Sequence, residues 1–153
     1  MKIFILCPWK NKATEFSDAQ NEYLKRLKTF QIEWIYLPSH NVSEKFGLKD
    51  FEAWKKKFAK NLPINKTVLL HERGTTATTL QLKSMMEELA LLPGPLLFIF
   101  GPSYGLNEDL LNFIPRKLSL SALTFPHKLS TLILVEQIYR VETIMHNADY
   151  HHD

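Results

Sequence analysis

The chain has 153 residues, 45% hydrophobic and 23% charged, which predicts one globular domain over residues 1–153 and excludes a disordered or fibrous chain. Its apolar runs, among them residues 89–92 and 132–135, fall far short of the roughly 20 residues that span a bilayer. The formal net charge of +3 permits a polyanionic partner without requiring one.

Residues 2–7 form an apolar, partly β-branched run and read as the first strand. No small-residue cleavage site follows, and Cys7 is the single cysteine, so the expected location is a reducing cytoplasm. Cys7 closes an apolar run, which favours a buried structural thiol over a nucleophile. Helical periodicity over residues 14–29 is followed by a second strand at 32–37, closed by Pro38-Ser39-His40. A helix at 48–61 stops at Leu62-Pro63, a strand at 67–72 follows, and a helix at 78–92 ends in Pro93-Gly94-Pro95. Then come a strand at 96–101, a short helix at 107–114 and a strand at 118–124. The last helix, 129–145, places Leu129, Leu132, Ile133, Val135, Ile138, Tyr139 and Val141 at helical spacing. Strands alternating with helices predict an α/β fold, a parallel sheet flanked by helices on both faces.

Basic residues crowd the first half: Lys10, Lys12, Lys25, Arg26, Lys28, Lys55, Lys56, Lys57 and Lys60. They fit either a nucleic-acid contact or a plain solvated surface.

In parallel α/β sheets ligands collect beyond the C-terminal strand ends. Three loops qualify. Residues 70–76 are dense in polar groups, with Glu72 either pairing with Arg73 or acting as a general base. Residues 101–107 place Gly101 and Gly105 around a tight turn where backbone amides can approach a ligand. The Gly-x-x-x-Gly spacing matches neither a Rossmann fingerprint nor a P-loop, and an ordinary strand-to-helix turn explains it equally. The third loop holds Thr124, Phe125, Pro126 and His127. Further on, Glu136 and Arg140 have the i,i+4 spacing of a helix salt bridge, or serve as a polar anchor facing the cleft. His146, His151 and His152 lack cysteine or carboxylate partners at structural zinc spacing, and no metal site is expected. The chain ends in Tyr150-His151-His152-Asp153, an aromatic and imidazole cluster where domains usually fray.

Four segments carry a resemblance. Residues 98–106 (Phe-Ile-Phe-Gly-Pro-Ser-Tyr-Gly-Leu), 120–127 (Leu-Ser-Ala-Leu-Thr-Phe-Pro-His), 135–140 (Val-Glu-Gln-Ile-Tyr-Arg) and Tyr150-His151 resemble the bacterial large-subunit ribosomal RNA methyltransferase H family. The similarity runs over essentially the whole chain. It implies a SPOUT fold whose C-terminal part forms a trefoil knot, a homodimer, and S-adenosylmethionine as cofactor. The implied reaction is methylation of N3 of a pseudouridine in helix 69 of 23S rRNA, with the assembled ribosome as the expected substrate. The resemblance assigns the cofactor site to Leu70, Gly101, Leu120, Ser121, Ala122, Leu123, Thr124 and Phe125. Tyr150 and His151 become the candidates for contact with the target base, Tyr150 positioning it and His151 accepting its proton.

The chain also departs from the family pattern. Pro102 stands where a second glycine is usual, Thr131 where arginine is common, and His152 where a basic residue is common. Cys7-Pro8-Trp9 replaces a small glycine-containing turn. At Thr131 the missing arginine removes an expected phosphate contact, for which Lys128 compensates in this reading. Two other readings stay open: a relative that binds RNA or ribosomes without methylating them, and a methyltransferase for a different RNA.

Overall fold

Side chains along β1 (Lys2–Cys7) alternate between two buried layers in a computed structural model, which describes residues 1–41 and 43–147. Ile3, Ile5 and Cys7 enter one apolar cluster and Leu6 the other. The same period-2 division recurs in β3 (Thr67–Thr76), with Val68 and Leu70 against Leu69, and in β4 (Leu96–Ile99), with Leu96 and Phe98 against Leu97 and Ile99. Strands buried on both faces need helices on both sides, and near-continuous apolar sequence is their signature.

The five strands, with β2 (Gln31–Tyr36) and β5 (Arg116–Ser119), lie in the order β2-β1-β4-β3-β5, every neighbouring pair parallel. One face is covered by α1 (Ser17–Arg26), α3 (Thr79–Ala90) and α5 (His127–Met145). The other is covered by α2 (Leu48–Phe58) and α4 (Glu108–Phe113). Crossovers toward the β2 edge use the first face and crossovers toward the β5 edge use the second. All four therefore share one hand, as the twist of the strands requires. The expected parallel α/β architecture is the one observed.

Several boundaries differ from expectation, most of all those of the third and fifth strands. The third strand does not stop at Glu72 but continues to Thr76, because Leu118 of β5 pairs with both Leu70 and Thr75. Residues 71–74 are thus an excursion out of a continuous strand rather than a terminal loop. Gly74 makes that excursion possible: a Cβ there would lie 2.6 Å from the Leu118 carbonyl carbon. The fifth strand begins at Arg116 and ends at Ser119, not Thr124. Beyond it, side chains take over the backbone's hydrogen bonding: Ser119 Oγ donates to the Ser121 carbonyl at 2.8 Å and Ser121 Oγ accepts from Leu123 N–H at 3.0 Å.

Cys7 is fully buried and lacks any disulfide, as its sequence context suggests. Desolvation pushes its thiol well above the ordinary range, so it is inert as a nucleophile. No helix among the described residues is long and apolar enough to cross a membrane.

Candidate active site

The excursion in β3 and the C-terminal ends of β4 and β5 meet at a cavity of about 410 Å³, within the usual size range of small-molecule sites. The first wall is the strand excursion, where Leu70, His71 and Glu72 line the space. His71 Nδ1 accepts the Arg73 backbone N–H at 3.1 Å, which leaves Nε2 as the protonated nitrogen of the neutral ring. Burial, followed by the Arg73 charge, lowers the His71 pKa below its ordinary value. Arg73 itself does not pair with Glu72. Its guanidinium reaches Glu108 at the start of α4, and this ion pair ties the excursion to the next wall.

That second wall is the segment from Phe100 to Leu106. Phe100 N–H still donates to Leu6 O at 3.0 Å, but Gly101 leaves the sheet and a tight turn follows, closed by Gly105 N–H to Pro102 O at 2.7 Å. Gly105 has φ +86°, a conformation that glycine adopts without strain, and a Cβ there would meet no atom within 4 Å. At Gly101, by contrast, a Cβ would press to 3.1 Å on the Leu106 side chain and 3.2 Å on the Gly105 carbonyl carbon. The turn is fastened from behind by Phe46, whose N–H donates to Gly105 O at 3.0 Å while its carbonyl accepts from Asn107 N–H at 2.8 Å. Pro102 is buried within this turn and its carbonyl is in use, so proline serves the turn's shape where the family usually has glycine.

The third wall runs from Leu118 into the first turn of α5, including Leu120, Ser121, Leu123, Thr124, Phe125 and His127. His127 opens α5 and stacks on Trp9 with ring centroids 5.2 Å apart; Trp9 in turn lies 6.3 Å from Phe100. The Cys7-Pro8-Trp9 departure thus fills the space behind the cavity with an indole that braces two of its walls. Burial lowers the His127 pKa, so its ring is neutral at pH 7.

Of the residues assigned to the cofactor from sequence, Leu70, Gly101, Leu120, Ser121, Leu123, Thr124 and Phe125 line this one cavity. Ala122 does not; it is exposed and lies outside the lining. Tyr150, His151 and His152 lie outside the described residues. Glu136 and Arg140 form the anticipated salt bridge at 2.7 Å. Thr131 is only 5% exposed, takes the Gln20 Nε2 hydrogen at 2.8 Å and donates to Lys128 O, so the threonine at this position packs against α1. Lys128 is exposed, its ammonium 4.0 Å from Glu15. Sequence reasoning passed over His71 and Tyr104 as site residues because nothing in the spacing distinguishes a lining side chain from a solvated loop one.

The cleft lies where three neighbouring strands of a parallel sheet meet and has a mixed polar and apolar lining; the family model described as a predicted SPOUT methyltransferase matches residues 1–151 and places the chain in the SPOUT methyltransferase class. Full-length relatives narrow the assignment. Proteins named ribosomal RNA large subunit methyltransferase H are 35% identical in Parabacteroides distasonis over 157 residues, 36% in Mycoplasma mycoides subsp. mycoides over 154, and 35% in Desulforamulus reducens over 158. The first alignment covers 100% of both chains and the other two 99% of each. The chain belongs to the ribosomal RNA large subunit methyltransferase H family.

S-adenosylmethionine is the methyl donor of this class, and the cavity fits it. The volume suits a nucleoside-sized ligand, and apolar Leu70, Phe100 and Leu120 offer surface for a ring. At Gly101 a Cβ would press on the turn that forms the second wall, which would have to yield by a few tenths of an ångström.

Proposed function

We propose that the protein methylates N3 of a pseudouridine in helix 69 of 23S rRNA. In this reading residues 1–153 act as one cytoplasmic domain within a homodimer, and the substrate is the assembled ribosome. One coincidence supports it above all: the end-to-end match to ribosomal RNA large subunit methyltransferase H proteins falls on a chain whose assigned cofactor residues converge on one cavity.

When bound, S-adenosylmethionine supplies a methyl group already activated on a sulfonium sulfur. The protein's work is therefore orientation and exclusion of water. Leu70, Gly101 and the 120–125 segment hold the donor, Leu120 and Phe125 by apolar contact and Gly101 by close backbone approach. Held there, the donor would present its methyl group to N3 of the acceptor, and the N3 proton would leave to a base. His151 accepts that proton as a neutral imidazole, and Tyr150 positions the pyrimidine. The same reading takes α5 as the threaded part of a trefoil knot. It follows the edge strand β5 yet packs between α1 and α3, through Tyr23–Tyr139 and Thr79–Gln137 contacts.

Mass spectrometry of rRNA from a strain lacking the gene tests the assignment: the N3-methyl mark is expected to vanish, and its persistence would refute the reading. Methyl transfer to free 23S rRNA, 50S subunits and 70S ribosomes then identifies the substrate, with 70S expected to react fastest. His151→Ala is expected to slow single-turnover transfer about 100-fold or more; full transfer in that variant would remove His151 as the base.

A further inference from the structure

Two large side chains at the cavity are left in water. Tyr104 is 63% exposed and Leu123 is 72% exposed, yet both line the cavity, from different walls. Their exposure places them at its rim. A scattered exposed leucine needs no explanation, but paired apolar groups at the mouth of a functional cleft mark a contact surface.

Neither is there by default of a loose loop. Ser103 and Tyr104 are the central residues of the Pro102–Gly105 turn. Its closing hydrogen bond, proline at one end, Gly105 at φ +86° and the Phe46 backbone bonds behind it fix where Tyr104 stands. Leu123 is held in the same manner by its N–H bond to Ser121 Oγ, with Ser121 O engaged by Ser119 Oγ. The Tyr104 ring and hydroxyl meet no hydrogen-bond or ring partner among the described residues. A backbone held this firmly under an unpartnered aromatic is pre-organisation for a flat ligand arriving from solvent.

We infer that Tyr104 and Leu123 form an apolar rim that grips the acceptor nucleobase of the RNA as it enters the cavity, Tyr104 by stacking and Leu123 by contact with the base face. The inference rests on the proposed RNA methyl transfer and adds a base-binding element outside the C-terminal tail. The cofactor is not the ligand of Tyr104, which stands outside the segments assigned to the donor, whereas Leu123 stands where the donor segment meets the mouth. Leu70, Phe100 and Leu120 supply the interior, whereas the rim pair is solvent-facing before anything binds. Aromatic stacking is the general device for holding an unstacked base, and it works for any base because each has a π face. The cavity then sets which atom of the base meets the methyl group.

The test uses the full chain with Tyr104→Ala, Tyr104→Phe and Leu123→Ala. Both positions are exposed, so folding is preserved in all three variants, and circular dichroism checks it. Two readouts are taken: the S-adenosylmethionine Kd by calorimetry, and the half-saturating ribosome concentration in single-turnover transfer. Tyr104→Ala is expected to raise half-saturation about 10-fold, in line with the stacking contribution of one base on one ring. Leu123→Ala is expected to raise it about 3-fold, and Tyr104→Phe to restore near wild-type values. The cofactor Kd should move less than 2-fold in the two Tyr104 variants. An unchanged half-saturation in Tyr104→Ala, or a matching loss of cofactor affinity, overturns the inference while leaving the methyl transfer itself intact. Should the wild-type protein transfer no methyl group, fluorescence anisotropy with a labelled helix 69 stem-loop decides separately. Weaker binding by Tyr104→Ala but not Tyr104→Phe supports the rim, and equal binding refutes it.

Discussion

The Glu142 carboxylate accepts the backbone N–H of Phe30 at 2.7 Å across a sequence separation of 112 residues. The amides of Thr29 and Lys28 donate to the same carboxylate at 2.5 and 2.9 Å, and His146 Nε2 meets Thr29 Oγ1 at 2.7 Å. The end of the last helix is thereby pinned to the turn that starts β2. Three amides converge on one buried anion, whose burial costs little because both of its oxygens accept hydrogen bonds.

Removing that acceptor leaves buried donors unpaired. Glu142→Ala is expected to lose about 3 kcal/mol, and Glu142→Gln about half as much because one oxygen remains. Urea unfolding should show the midpoint falling in that order with an unchanged slope. Equal stability of all three proteins would show that water reaches the site.

Gly74 has no room for a side chain, since a Cβ would lie 2.6–2.7 Å from the backbone of Lys117 and Leu118. Gly74→Ala must push β3 and β5 apart and is expected to cost about 3 kcal/mol. The cavity wall formed by residues 70–72 moves with it, so calorimetry should also show S-adenosylmethionine affinity falling at least 5-fold. Gly94→Ala makes a useful contrast. It strains a φ of +86° far from the cavity and should lower Tm without changing the cofactor Kd.

Trp9 braces His127 and Phe100 from outside the cavity. Trp9→Ala removes both ring contacts and is expected to destabilise the protein by about 2 kcal/mol, less than a fully buried tryptophan because the ring is partly exposed. Cofactor affinity should fall several-fold, whereas Trp9→Phe retains most of it. An unchanged Kd in Trp9→Ala would mean that the walls hold their shape without the indole.

The two cavity histidines make stability depend on pH. His71 and His127 both have folded-state pKa values lowered from 6.5, burial being the main cause. As pH falls through 6.5 the unfolded chain takes up protons first, so unfolding is favoured. Stability is therefore expected to be full above about pH 7 and to decline below 6.5, until the folded-state values are passed. Thermal melts at pH 7.5, 6.5 and 5.5 should show this fall, and His127→Gln should flatten it. A melting curve that does not respond to His127→Gln would assign the decline to other groups.

Much of the fold is legible in the chain because apolar runs and helical periodicity have no other economical reading. The 96–99 segment, Leu-Leu-Phe-Ile, is uniformly apolar and becomes β4 at the centre of the sheet, buried on both faces. The ends of elements are less legible. The strand at Thr67 reads as finished once polar residues appear at His71, but Leu118 pairs again at Thr75 after the excursion. Hydrogen-bond register between strands 40 residues apart leaves no local trace. The same holds for Thr131, whose exposure is decided by Gln20 on a helix 111 residues away.

The sequence by itself determined the alternation of strands and helices, the buried thiol, the glycine-flanked turn and the family, since each depends on local side-chain chemistry or on motif spacing. Tertiary structure alone decided that Leu70, Gly101 and the 120–125 segment share one cavity and that Ala122 stands outside it. It also decided that Tyr104 and Leu123 remain in solvent at that cavity's rim. The physical reason is that a parallel sheet gathers loops from distant parts of the chain at the ends of neighbouring strands. Which side chains then face inward depends on strand order and register, which are set by packing across the whole domain.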